Sequence, residues 1–301
     1  MSIMYTEPYA EMQVRGNRMR RQQQRRARLF RRRMFLLLVL VTIGLIGFHT
    51  FSRTNLRSHF AWLNKFSFET NELDSDTLEQ LRGMVSQDPR VQNVLDHYQE
   101  YPVDILKMLA RNLDMLDFVL GYPEKKGQVF ADTIGDVEIG TIPLLLQYDT
   151  RWGYGDYGSS TVVVSGCGPT CLAMVIAGLT GENTVTPYTV AQYANAEGYY
   201  VPGSGTSWTL MSEGATCFGV SGKELPLSQS VMEHALGEGK PIICSVRPGD
   251  FTTSGHFIVI TGIKDGQFVV NDPNSVERSN QLWDYETLEP QISNLWAFQT
   301  I

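Results

Sequence analysis

The sequence predicts an α+β fold, preceded by a transmembrane helix and a short helical region. Three observations carry this. Gly166-Cys167-Gly168-Pro169-Thr170-Cys171 opens an apolar run from Leu172 to Leu179, the pattern of a buried helix entered at a cysteine. Gly255–Ile263 and Gln267–Pro273 are β-rich runs around Lys264-Asp265-Gly266, a hairpin signal. In the C-terminal half strands follow helices instead of alternating with them, which favours α+β over a doubly wound sheet.

Taken in order, the N-terminus comes first. Ten arginines lie between Arg15 and Arg33, followed by an uncharged apolar run from Met34 to Phe51. A helix of that run is about 27 Å long, enough to cross the hydrocarbon core of a bilayer. Arg-rich flanks stay cytoplasmic, so the chain is expected to cross once, as a signal-anchor in the cell membrane, with its C-terminal domain extracytoplasmic. A cleaved signal peptide is the runner-up, but no Ala-x-Ala-like site follows Phe48. The first 33 residues hold ten Arg and two Glu, net +8, so the formal total of -7 leaves -15 for the remainder. A remainder that acidic argues against nucleic acid as a partner.

Residues 52–130 read as a helical stalk. Asp76 to Met84 begins with an Asp-x-x-Glu capping signal, Asp88-Pro89 opens a second helix to about Glu100, and Pro102 begins a third that ends at Gly121 before Pro123. Ile105, Leu106, Met108, Leu109, Leu113, Leu116 and Val119 form an apolar stripe on the third. This reads first as a core face, with a docking surface for substrate or partner as the second reading. Residues 124–140 form the joint to a domain over 140–301. There Thr186-Pro187 starts a helix stopped by Gly198, Gly205-Thr206-Ser207-Trp208 leads into another, Ser228 to Leu236 gives a third, and Pro241 to Val246 a buried strand. Trp208 reads as a core residue, with a cleft lining as the alternative.

The chemistry centres on Cys167. A thiolate is favoured at a helix start, where unpaired N–H groups and the positive dipole end face it. A nucleophile needs a base and an orienter, and His256 and Asp272 qualify if the hairpin puts them on one face. A three-residue Lys264-Asp265-Gly266 loop sets Asp272 opposite Ile258, a diagonal neighbour of His256; a two-residue loop turns the two residues to opposite faces. Cys167 with Cys171, Cys217, Cys244 and a histidine is a weak alternative as a metal site, since no second close cysteine pair exists. A Cys217–Cys244 disulfide is a further minority reading.

The Gly-Cys-Gly-Pro-Thr segment, the Gly-His-Phe-Ile-Val-Ile strand and the Asn-Asp-Pro strand end, in that order, resemble the papain-like cysteine peptidases related to bacteriocin leader (double-glycine) processing domains. The resemblance spans roughly residues 142–301. It implies a papain-like fold, with Cys167 on a central helix packed against an antiparallel sheet, a peptide or protein substrate, no cofactor, and a catalytic set of Cys167, His256 and Asp272. It also points to Gln147, in Leu146-Gln147-Tyr148-Asp149, as the side-chain donor of an oxyanion hole. Two other classes stay open: a catalytically silent peptide-binding module, and an amide hydrolase or acyl transferase acting on cell-wall peptide.

Overall fold

The computed structural model describes residues 73–301. The basic arm, the predicted span over 34–51 and the first part of the stalk lie outside the described residues. Among the described residues no helix is long and apolar enough to cross a membrane.

Four helices come first: α1 (Ser75–Met84), α2 (Val91–Asp96), α3 (Val103–Leu109) and α4 (Leu116–Lys125). The cap of α1 is Asp74, not the expected Asp76. Its carboxylate accepts the Thr77 N–H at 2.8 Å, so the capping signal begins two residues earlier. The single helix expected from Pro102 to Gly121 is two. Asn112 adopts extended backbone and its side chain accepts the Asp114 N–H at 3.1 Å, a local bond that competes with helix continuation. Pro123 lies inside α4 near its end, where the ring forfeits one hydrogen bond without breaking the helix. Ile105, Leu106, Leu109, Leu116 and Val119 are buried together with Leu81, Val91 and Val94, so the stripe is a core face. The same core includes Tyr148, Tyr154 and Val163 from the segment leading to the cysteine. Tyr154 stacks on Phe118 at 4.1 Å and donates its hydroxyl to the Phe118 carbonyl.

A short ribbon of β1 (Asp156–Tyr157) and β2 (Ser160–Thr161) precedes α5 (Val162–Ser165) and the central α6 (Cys167–Thr180). Every residue of α6 from Gly168 to Gly178 is buried. Next comes α7 (Pro187–Glu197), which starts and stops as its sequence dictates. Thr186 caps it by accepting the Thr189 N–H at 3.1 Å, and Gly198 ends it in the left-handed region at φ 85°. A second ribbon, β3 (Tyr200–Val201) with β4 (Gly205–Thr206), is followed by α8 (Thr209–Ser212), β5 (Val220–Glu224) and α9 (Gln229–Gly237). The chain then forms β6 (Ile242–Val246), β7 (His256–Lys264), β8 (Gln267–Asn271), α10 (Val276–Ser279), β9 (Leu282–Trp283), α11 (Tyr285–Leu288) and β10 (Ile292–Thr300).

The main sheet is antiparallel in the order β5-β10-β6-β7-β8-β9. Leu172 to Ala177 of α6 share one core with Ile243, Val259, Trp296 and Phe298 of the sheet. Met232 and Ala235 of α9 share another with Ile242, Cys244, Ile258 and Ile260. Strand β6 is buried at all five residues, and all but Ser245 are apolar because both faces of the strand are covered.

The β7–β8 turn departs from expectation. Lys264 pairs with Gln267, so the loop is the two-residue Asp265-Gly266, with positive φ at both positions (53° and 81°), as a type I′ turn requires. Continued regularly, that register would turn His256 and Asp272 to opposite faces. A bulge intervenes: Gly262 pairs with Val269 but Ile260 with Val270, leaving Thr261 as the extra residue. Beyond it Val259 faces Asn271, the same register the three-residue loop would have given.

Candidate active site

Cys167 is the first residue of α6, so its backbone N–H belongs to the helix-terminal donors that have no intrahelical acceptor. The flanking glycines are required by packing more than by access. A Cβ on Gly166 would collide with the Val162 carbonyl oxygen, and one on Gly168 would come within 3.0 Å of Thr206 on β4. Thr170 then ties the first turn down, donating its hydroxyl to the Gly166 carbonyl at 2.7 Å.

His256 opens β7 and Asp272 follows β8. His256 Nε2 lies 2.8 Å from Asp272 Oδ1, both side chains being buried. Cys167 lies beside the same ring and contributes to raising its pKa. Asp272 is held from three further sides. The Asn274 N–H donates to Oδ1 at 2.7 Å, Arg278 Nε donates to Oδ2, and the Ser279 hydroxyl accepts the Asp272 N–H at 2.9 Å. Burial alone would disfavour the imidazolium, but the Asp272 carboxylate outweighs it and, with Cys167 beside the ring, raises His256 from 6.5 to about 10. Burial likewise opposes the Asp272 carboxylate, yet His256 and Arg278 together hold its pKa below the ordinary 3.8.

Arg278 has no counterpart in the sequence reading. Its signal was Ser275-Val276-Glu277-Arg278: Ser275 caps α10 by accepting the Arg278 N–H at 3.1 Å, and this helical turn swings the guanidinium back onto Asp272. Asn112, at the break between α3 and α4, donates its side-chain amide to the Asn274 carbonyl at 2.8 Å, so the helical layer also braces this loop.

Gln147 is 3 % exposed, so it is not a surface residue. Its Nε2 donates to the Val163 carbonyl at 2.6 Å, four residues before Cys167, and its Oε1 is buried without a partner. It does not line the cleft. The cleft, of about 940 Å³, is lined by Cys167 and His256 together with Ser245, Trp208 and residues of α3. Trp208 is therefore a cleft residue and not a core one. It is 45 % exposed, its Nε1 donates to Ser245 Oγ at 3.1 Å, and its ring meets Trp296 edge-on at 5.8 Å.

All four cysteines are free. Burial pushes the thiols of Cys171 and Cys244 upward, and Cys217 is exposed on the 3-10 turn before β5. Cys167 alone shares the cleft with a histidine.

A cysteine heading the central helix and a histidine–aspartate pair on the facing sheet define the papain-like class. Within it, the model of the Peptidase_C39 like family matches residues 139–298, and the chain belongs to that family. Two solved structures are similar to it. One is the peptidase domain of Streptococcus ComA, a bi-functional ABC transporter involved in a quorum sensing pathway. It is 20 % identical, with a TM-score of 0.36 over 46 % of this chain and 93 % of that one. The other is a Bacillus anthracis protein described as a C39-like peptidase, 15 % identical, with a TM-score of 0.30 over 54 % of this chain and 97 % of that one. None of the curated proteins matches the chain.

Proposed function

We propose that this protein is a membrane-anchored, extracytoplasmic cysteine peptidase that hydrolyses peptide bonds with Cys167 as nucleophile. The observation that carries the reading is His256, paired with the Asp272 carboxylate at 2.8 Å and lining an open cleft together with Cys167. In that arrangement the imidazole takes the thiol proton and the thiolate attacks the scissile carbonyl carbon. The imidazolium then protonates the leaving amine, and water, deprotonated by the same ring, releases the acyl group from sulfur. Asp272 fixes the ring tautomer and supports the imidazolium. The Cys167 N–H is the proposed oxyanion donor, and Gln147, implied as a second donor by the resemblance, is bonded to the Val163 carbonyl outside the cleft lining and would need to turn its amide toward the cleft to take that role. The span over 34–51 supplies the anchor, and the lipid bilayer is its partner.

The test is unbiased cleavage-site profiling of the full-length chain beside its Cys167→Ala variant. Cleavage that disappears in the variant supports the reading. Specific peptide binding by both with hydrolysis by neither would make the chain a silent binding module, and release of amide or acyl groups without peptide cleavage would make it an amidase or transferase.

A further inference from the structure

One wall of the cleft carries charge that the Cys-His-Asp arrangement does not use. Lys107 and Met108 of α3, and Arg111 just after it, line the same cleft as Cys167 and His256. Asp104 is the one carboxylate on that wall, and Lys107 lies 3.6 Å from Asp74. Arg111 is different. Its Nη1 donates to Thr253 Oγ1 at 2.8 Å, and among the described residues its guanidinium has no carboxylate partner. Thr253 thus fixes the group while leaving Nε and Nη2 open, the edge that binds a carboxylate through two parallel hydrogen bonds.

Distance along the chain places this edge relative to the chemistry. Thr253 precedes His256 by three residues, so their Cα atoms are at most about 11 Å apart. An extended peptide advances about 3.3 Å per residue, so a bond presented to Cys167 has a side chain two to four residues away within reach of Arg111.

We propose that Arg111 is a specificity-determining residue that selects peptides carrying an aspartate or glutamate two to four residues from the scissile bond. The placement beside a scissile bond rests on the peptidase reading; the recognition of a carboxylate does not. The helical layer thereby contributes directly to the substrate site, as well as covering the domain with its apolar stripe.

The test uses the full-length chain and ten-residue peptides in which one Asp is walked along the sequence, each paired with its Asn counterpart. At one position two to four residues from the cut, Asp should raise kcat/KM by about tenfold over Asn, and Arg111→Ala should remove that preference while leaving the Asn peptide unaffected. Arg111→Glu should move the preference to Lys at the same position. Binding of the same peptides to the Cys167→Ala chain should follow the same order. If neither cleavage nor binding distinguishes Asp from Asn, or if Arg111→Ala leaves the distinction intact, the subsite is wrong. Charge-dependent binding with no hydrolysis by the native chain would instead overturn the peptidase reading and leave the carboxylate subsite standing.

Discussion

His256 Nε2 and Asp272 Oδ1 lie 2.8 Å apart although the two-residue turn that joins their strands, continued regularly, would aim the two side chains at opposite faces of the sheet. Thr261 resolves the conflict. As the extra residue of a bulge it rotates the first half of β7 by one register step, bringing His256 back to the face of Asp272.

Asp272→Asn should lower kcat on the order of a hundredfold or more, with the fold intact by circular dichroism, because an amide neither selects the ring tautomer nor supports the imidazolium. Steady-state kinetics beside thermal unfolding checks this. A variant that loses thermal stability but keeps its specific activity would make Asp272 a turn residue.

The same pair sets a pH dependence of stability. His256 has its folded pKa raised from 6.5 to about 10, so its contribution is complete below about pH 6.5 and is lost as pH rises towards 10. Asp272 has its folded pKa lowered from 3.8, so its contribution is complete above that value and is lost as pH falls below it. The Tm difference between the native chain and Asp272→Asn should therefore be largest between about pH 4 and 6.5 and narrow steadily to pH 10. A difference that is constant or widens across that range would remove the coupling.

Replacing Arg278 by Leu takes from Asp272 Oδ2 its one cation, and its one hydrogen-bond donor, among the described residues, a loss of about 1.5–3 kcal/mol for a charge-assisted bond. Without Arg278 the Asp272 pKa should rise, and the acid limb of the activity profile should move to higher pH. Arg278→Lys should restore part of the stability. An unchanged acid limb would confine Arg278 to holding the loop.

Cys167 should be alkylated by iodoacetamide near neutral pH far faster than Cys171. Cys171 is fully buried and burial raises its thiol pKa, whereas Cys167 faces the cleft and His256. Peptide mapping after timed labelling separates the two. Equal rates would exclude Cys167 as the nucleophile.

If the proposed anchor over 34–51 is right, a C-terminal fusion to a reporter active only outside the cytoplasm should be active and remain membrane-bound. A reporter released in soluble form by cleavage near Phe51 would establish a signal peptide, and an inactive one would reverse the topology.

The elements read most directly from the sequence are those fixed by near neighbours. Helix α7 is set by Thr186-Pro187 and Gly198, α6 by the Gly-Cys-Gly-Pro entry, and β6 by an apolar run interrupted only at Ser245, because capping, turn geometry and burial patterns act over one to four residues. The same locality misled at Asp76 and at Pro102–Gly121. There Asp74 and Asn112 made competing side-chain bonds that an apolar stripe does not register.

By itself the sequence determined the candidate residues for the chemistry, the helix that presents Cys167 and the two strands beside which His256 and Asp272 stand. The tertiary structure decided how they meet. The bulge at Thr261, Arg278 against Asp272, the burial of Gln147 against Val163, Trp208 in the cleft and Arg111 against Thr253 each depend on residues not adjacent in the chain. Local propensity does not encode such contacts. They form only when packing the apolar faces of α6, the sheet and the helical layer leaves each polar group a single place where its hydrogen bonds can be satisfied.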